Sequence, residues 1–78
     1  MAFITRFEKQ EPNRKNIHKT NVVCKYFTLE RDGVHVVQLN TYGSSDREMP
    51  DKLSQTIQIG RKEAAELIAI LKDEFKLI

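Results

Sequence analysis

The dipeptide Asp32-Gly33 separates two runs in which apolar and polar residues alternate, and no other feature of the sequence constrains the fold as strongly. Asp-Gly at the centre of a two-residue turn is typical of a β-hairpin, because both central residues must adopt a positive φ. Counting outward from the turn pairs Phe27 with Gln38, and the same count assigns a partner to every residue of both strands. The sequence therefore predicts one antiparallel hairpin with a defined register.

The two faces of the predicted sheet differ in their chemistry. Further along the chain, Ser54 to Ile59 forms another alternating segment, whose two isoleucines we expect to face the core together with Val37 and Leu39. The opposite face would then collect aromatic, aliphatic, cationic, amide and hydroxyl side chains: Lys25, Phe27, Leu29, Arg31, Val36, Gln38, Asn40, Tyr42, Ser54, Thr56 and Gln58. Such a mixture is typical of surfaces on which unstacked bases stack and are hydrogen-bonded. The alternative is a sheet face that a dimer partner covers.

The remaining segments complete the predicted architecture. Alternation from Phe3 to Phe7 allows a short first strand, and the polar stretch from Glu8 to Asn21 is predicted to be a mobile loop. From Arg61 onward, apolar residues recur at three- and four-residue spacing, which predicts one amphipathic helix with Gly60 as its N-cap. We therefore expect an α+β fold in which an antiparallel four-stranded sheet is followed by one C-terminal helix, in the order ββββα.

The length of the chain favours a dimer. At 78 residues, a single hydrophobic core contributes only a few kcal/mol of net stability, and oligomerisation is a common remedy. The predicted helix is also apolar over a wider stripe than one sheet face would cover, because Ala65, Ala69, Ile70 and Leu77 extend it. We expect a homodimer through the C-terminal helix, with simple exposure of the chain end as the alternative. Within each chain, residues 1–21 would form the first strand and a basic loop, and residues 22–78 the binding core.

Positive charge is concentrated in the first part of the chain. The net charge is only +2, but residues 1–31 hold seven Lys/Arg against three Asp/Glu. Such an excess attracts phosphates, or it simply keeps an exposed arm soluble. The long connection from Gly43 to Leu53 adds Arg47 and Lys52, each of which can bind a phosphate or neutralise a neighbouring acidic residue. Together with the sheet face, these two cations complete our predicted nucleic-acid-binding set.

Signals for catalysis are absent from the sequence. His18 and His35 lack partners at zinc-ligand spacing, and the chain has neither a Gly-rich phosphate loop nor a nucleophile elbow. The single cysteine, Cys24, has strand-like flanks and is best explained as a small buried hydrophobe rather than a nucleophile, in a reducing compartment. We expect no enzymatic activity, no metal and no cofactor. With no apolar run long enough to span a bilayer and no signal-peptide core, a cytoplasmic protein with no membrane partner is predicted.

The order of these segments resembles a known family of small proteins. The matching pieces run from Tyr26 to Gly33, from Val37 to Tyr42, and from Thr56 to Ile59 followed by the helix, and together they span roughly residues 22–76. They are similar to the C-terminal domain of transcriptional positive cofactor four and to its bacterial and phage relatives, which bind single-stranded DNA. The resemblance implies a dimer formed through the helices, with two antiparallel sheets that present a groove for single strands.

The resemblance also implies where the ligand binds. In that family, basic and aromatic residues of the hairpin, of the next strand end and of the last strand start contact the nucleic acid; here these zones hold Arg31, Asn40 with Tyr42, and residues 52–55. The chain departs from the pattern at Gly43, where the family often has tryptophan, and its cations near the last strand are reduced to Lys52. The predicted function is largely sequence-independent binding of single-stranded DNA, as a transcription or DNA-metabolism cofactor. Alternatives are an RNA-binding regulator and a protein-interaction module that use the same face.

Overall fold

Four strands and one helix form in the order that the sequence predicts. The computed structural model describes residues 1–13, 15–43 and 52–78. The elements are β1 (Ala2–Ile4), β2 (Cys24–Arg31), β3 (Val34–Tyr42), β4 (Leu53–Gly60) and α1 (Arg61–Phe75). The order ββββα is confirmed. Residues 5–23 contain no helix or strand at their described positions, and most of their side chains are exposed.

The sheet is mixed, so the expectation of a wholly antiparallel sheet is wrong. Its strand order is β1-β4-β3-β2. The pairs β2–β3 and β3–β4 are antiparallel, whereas β1 pairs with β4 in parallel, with Phe3 opposite Gln58 and Ile4 opposite Ile59. The N-terminal strand therefore forms one edge of the same sheet, and β2 forms the other edge.

The hairpin has the register predicted from its turn. Asp32 and Gly33 adopt φ values of 53° and 81°, the positive values that a type I′ turn requires. Phe27 lies opposite Gln38, and each of the other pairs from Arg31 with Val34 to Cys24 with Thr41 also agrees with the count. Local turn chemistry thus determines which side chains share a face over the whole of β2 and β3.

The last strand extends the same two faces. Thr56 lies opposite Asn40 and Gln58 opposite Gln38, so the predicted polar residues of β4 continue the polar face of the hairpin. A register shift between Thr41 and Tyr42 places Leu53 opposite Tyr42 and leaves Ser54 as the extra residue, so β4 begins one residue before the predicted Ser54. Such a bulge increases the local twist of the sheet at the end where the long connection leaves it.

The helix begins where the sequence predicts and ends before the last apolar residue. Gly60 is the N-cap in an extended conformation, without a side-chain capping hydrogen bond. Glu63, which could have completed a capping box, is instead buried. The helix ends at Phe75, and Lys76 follows in the left-handed conformation at φ 54°, with its backbone N–H donating to the carbonyl oxygen of Lys72.

The hydrophobic core of one chain is small. Val36 and Ile59 are its only buried apolar residues among those described, and no described side chain is fully buried. Ile57, predicted to face the core, remains 36% exposed. The predicted burial of Cys24 is wrong, because this residue is exposed on the edge strand β2. Because α1 continues directly from the end of β4, it lies beside Ile59, at the end of the strand. No helix in the described ranges is long and apolar enough to cross a membrane.

Candidate nucleic-acid interface

A hydrogen-bonded row of amides lies along the centre of the polar face. The Gln58 side-chain Nε2 donates to Oε1 of Gln38 at 2.9 Å, and the Gln38 Nε2 donates to Oδ1 of Asn40 at 3.0 Å. The Thr56 hydroxyl donates to the same Asn40 oxygen at 3.1 Å. Four predicted site residues from the two central strands therefore form one connected network, which fixes their side chains relative to one another.

A cation and an aromatic ring lie together at one end of this network. Lys25, which pairs with Asn40 across the strands, places its ammonium 4.9 Å from the ring centroid of Tyr42. This distance is within the range of a cation–π interaction. The predicted phosphate-binding and stacking residues are thus brought into direct contact.

The members of the network differ in accessibility. Asn40 and Thr56 are only 9% and 5% exposed, whereas Gln38 and Gln58 are half-buried. Phe27, which lies opposite Gln38, is 46% exposed. A ligand on this face would therefore meet the ring of Phe27 and the two glutamines, while Asn40, which also accepts a hydrogen bond from Thr56, holds Gln38 in place.

The hairpin end of the face is cationic at its tip and apolar behind it. Arg31 is almost fully exposed, and its Nε lies 4.0 Å from a carboxylate oxygen of Asp32, which is equally exposed. Because both groups are in contact with water, this ion pair is weak and leaves the guanidinium able to bind another anion. Behind the tip, Leu29 is half-buried and Val36 is buried.

The opposite end of the face adjoins the long connection. The backbone N–H of Gly43 donates to the carbonyl oxygen of Lys52 at 3.1 Å, which fixes the point where the chain re-enters the sheet. Lys52 and Ser54 are both exposed there. The prediction for Arg47 falls outside the described residues.

An aromatic residue that the sequence reasoning did not place on this face is Phe3. Its partner in β4 is Gln58, and its ring lies against Gly60, where an added Cβ would be 3.5 Å from Cζ of Phe3. Both observations put the ring on the polar face, where it is 46% exposed. The alternation of Phe3 with its neighbours was visible in the sequence, but the partner strand was not.

The other face of the sheet is apolar and open. Val37 and Ile59 line a groove of about 530 Å³ together with Ala64, Ala65 and Ile68 of α1. Tyr26, two residues from the end of β2 nearest the long connection, is 72% exposed on the same face. The chain therefore covers the polar residues of its sheet better than the apolar ones.

Comparison of the chain with protein-family models, curated proteins and solved structures finds no match in any of the three. No group of three or more His, Cys, Asp and Glu residues within the described ranges is arranged to hold a metal ion. The groups on the polar face that can bind a ligand are rings, amides, hydroxyls and cations.

Proposed function

We propose that the protein binds single-stranded DNA on its polar sheet face, largely without sequence specificity, as a cofactor of transcription or DNA metabolism. The observation that carries the proposal is the hydrogen-bonded glutamine pair beside the exposed ring of Phe27. A surface of rings and amides offers stacking to every base, and because each amide carries both a donor and an acceptor it can hydrogen-bond the edges of different bases. Single-stranded DNA exposes both the faces and the edges of its bases.

Each part of the interface has a role in this proposal. Phe27 and Tyr42 stack on bases, each stacked base contributing about 1–3 kcal/mol. Gln38 and Gln58 bind base edges, with Asn40 and Thr56 supporting them through the network. The phosphates are bound by Lys25, Arg31 and Lys52, which lie beside the rings and at the two ends of the face, and by Arg47 of the long connection.

We also propose that two copies of the chain associate through the apolar groove and the C-terminal helix. The radius of gyration is 14.9 Å, whereas a compact domain of this length has about 11.5 Å. Ile68 and Phe75 of α1 are more than half exposed, and the described core of one chain has only two buried apolar residues. A second copy that covers this surface would supply the burial that one chain lacks, and it would leave the two polar faces accessible.

A titration of labelled oligo-dT at two salt concentrations tests the binding proposal. With four phosphate contacts on a single strand, affinity should fall about 50-fold between 50 and 200 mM salt. Parallel titrations with RNA and duplex DNA of the same length establish which nucleic acid is preferred, and we expect the duplex to bind most weakly. An absence of binding at 50 mM salt and micromolar protein would contradict the proposal.

The variant pair Phe27→Ala and Tyr42→Ala separates nucleic-acid binding from a protein-interaction role of the same face. Loss of oligonucleotide binding with an unchanged oligomeric state supports stacking on these rings. Loss of the oligomer in the same variants would instead mean that the rings form the contact between chains. Light scattering on the same samples measures the oligomeric state.

The variant Ile68→Asp tests the dimer. The wild-type protein should have twice the 9.1 kDa mass of one chain, and the variant should dissociate because a carboxylate would be buried in the groove. Ile17→Asp is the matched control, since Ile17 is 95% exposed and the chemical change is identical. A wild-type monomer, or an Ile68→Asp variant that remains dimeric, would show that the groove is not the interface.

A further inference from the structure

One row of side chains crosses all four strands of the sheet. Phe3 of β1 lies opposite Gln58, Gln58 lies opposite Gln38, and Gln38 lies opposite Phe27 of β2. The two central residues are hydrogen-bonded to each other, and an aromatic ring stands at each end of the row. Phe27 is already part of the proposed interface, whereas Phe3 has no role in it.

We propose that Phe3 is a second base-stacking site, so that Phe3 and Phe27 bind two separated bases of the same single strand. This inference rests on the proposed single-strand binding and extends it to the edge strand β1. Phe3 and Phe27 have the same exposed fraction, 46% of each residue, so both are accessible to a ligand. Neither ring belongs to the small buried core.

The position of the Phe3 ring is fixed by its neighbours. Pairing of β1 with β4 sets the face on which the side chain emerges, and the ring then rests against the backbone of Gly60. Because Gly60 has no side chain, the tip of the ring can lie beside it, with Cζ of Phe3 3.5 Å from the position that a Cβ of Gly60 would take. A ring held in this way loses little conformational freedom when a base stacks on it.

The spacing of the two rings determines what they can bind. Three strand-to-strand intervals separate β1 from β2, which is about 14 Å. Neighbouring bases in a stacked strand are only about 3.4 Å apart. The rings therefore cannot hold adjacent bases of a stack, and the strand must be spread across the sheet, with the intervening bases above Gln58 and Gln38.

The variant Phe3→Leu removes the π-face but keeps an apolar side chain in the edge strand. We expect its affinity for oligo-dT to fall by about five- to 150-fold, the value of one stacked base. Phe7→Leu is the matched control, because Phe7 belongs to the same N-terminal segment but lies beside Ile70 of the helix. Its affinity should equal that of the wild type.

Tryptophan substitution tests the same site without removing the ring. The chain contains no tryptophan, so Phe3→Trp introduces a single indole, which can be excited selectively over the two tyrosines and which a stacked base quenches. We expect saturable quenching in Phe3→Trp, with the same midpoint as binding measured by anisotropy, and no comparable quenching in Phe7→Trp. This readout remains valid if Phe3→Leu proves unstable.

The outcomes distinguish this inference from the function on which it rests. If the wild-type protein binds no oligonucleotide, the proposed function fails and the role of Phe3 fails with it. If the wild type binds but Phe3→Leu binds equally well and Phe3→Trp is not quenched, only the second stacking site is refuted. Weaker binding by Phe3→Leu together with quenching of Phe3→Trp supports it.

Discussion

Replacing Gln38 by alanine should destabilise the folded protein by an amount that its two hydrogen bonds predict. Gln38 accepts a bond from Gln58 at 2.9 Å and donates one to Asn40 at 3.0 Å. Each bond contributes about 0.5–1.5 kcal/mol net, so their joint loss would cost about 1–3 kcal/mol. Because Gln38 is half-buried and water can replace part of what is lost, we expect a value in the lower half of this range, about 1–2 kcal/mol.

Urea denaturation at one fixed protein concentration measures this loss, since association would otherwise change the apparent stability. The matched control is Gln55→Ala in β4: Gln55 is exposed opposite Thr41, and its side chain makes no hydrogen bond with a described residue. The control should stay within about 0.5 kcal/mol of the wild type. Equal losses in Gln38→Ala and Gln55→Ala would refute the stabilising role of the network.

A double-mutant cycle of Gln38→Ala and Gln58→Ala adds a second check on the same reasoning. The two side chains share a hydrogen bond, so the double variant should lose less stability than the sum of the single variants. We expect a coupling free energy of about 0.5 kcal/mol or more. Strict additivity would mean that the pair makes no bond in solution.

Three other substitutions test the turn, the helix end and the cationic part of the interface. Gly33→Ala should lower the free energy of unfolding, measured by urea denaturation, by about 1–2 kcal/mol, because Gly33 has φ 81°. No atom lies within 4 Å of the added Cβ, so the loss would come from backbone strain and not from a steric clash. Lys76→Gly should raise the free energy of unfolding by about 0.5–1 kcal/mol, because Lys76 has a left-handed backbone at φ 54°. Lys72→Gly, inside the helix, should lower it by about 1 kcal/mol. Lys25→Met should reduce the slope of log affinity against log salt by about 0.7, the share of one phosphate contact, and Lys62→Met on the helix should leave that slope unchanged. An unchanged slope for Lys25→Met would remove that residue from the set of phosphate contacts.

The hairpin and its faces were predictable because the information is local. Asp32-Gly33 specifies a turn type, and the turn fixes the pairing of residues such as Phe27 and Gln38 on either side. The alternation of β4 then predicted that Thr56 and Gln58 would join that face, and this is confirmed. The polar part of the candidate site follows from these two steps.

The pairing of β1 could not be read in the same way. Ala2 pairs with Ile57, and no turn or short connection links the two segments. A parallel pair needs a long crossover, and a strand of three residues has too few side chains to select its partner by pattern. For this reason a first strand could be predicted from the sequence, but its parallel pairing with β4 and the position of Phe3 on the polar face could not.

The exposed fraction of a side chain was harder to predict than the sheet face on which it lies. Alternation correctly predicts that Ile57 and Ile59 lie on one face of the sheet. It does not predict which of the two residues the helix packs against. Because α1 starts at Arg61, immediately after the strand, Ile59 is buried whereas Ile57 is not.

The position of β2 at the edge of the sheet has a consequence for handling the protein. Along its eight residues, alternate backbone N–H and C=O groups face away from β3 and meet no other strand of the described chain. An edge of this kind can template the addition of strands from other molecules, which is how sheet proteins begin to form fibrils. Lys25, Glu30 and Arg31 interrupt the apolar character of the strand, and charges at such positions discourage growth. The same cations that we assign to phosphates would thus also keep concentrated solutions of the protein free of fibrils.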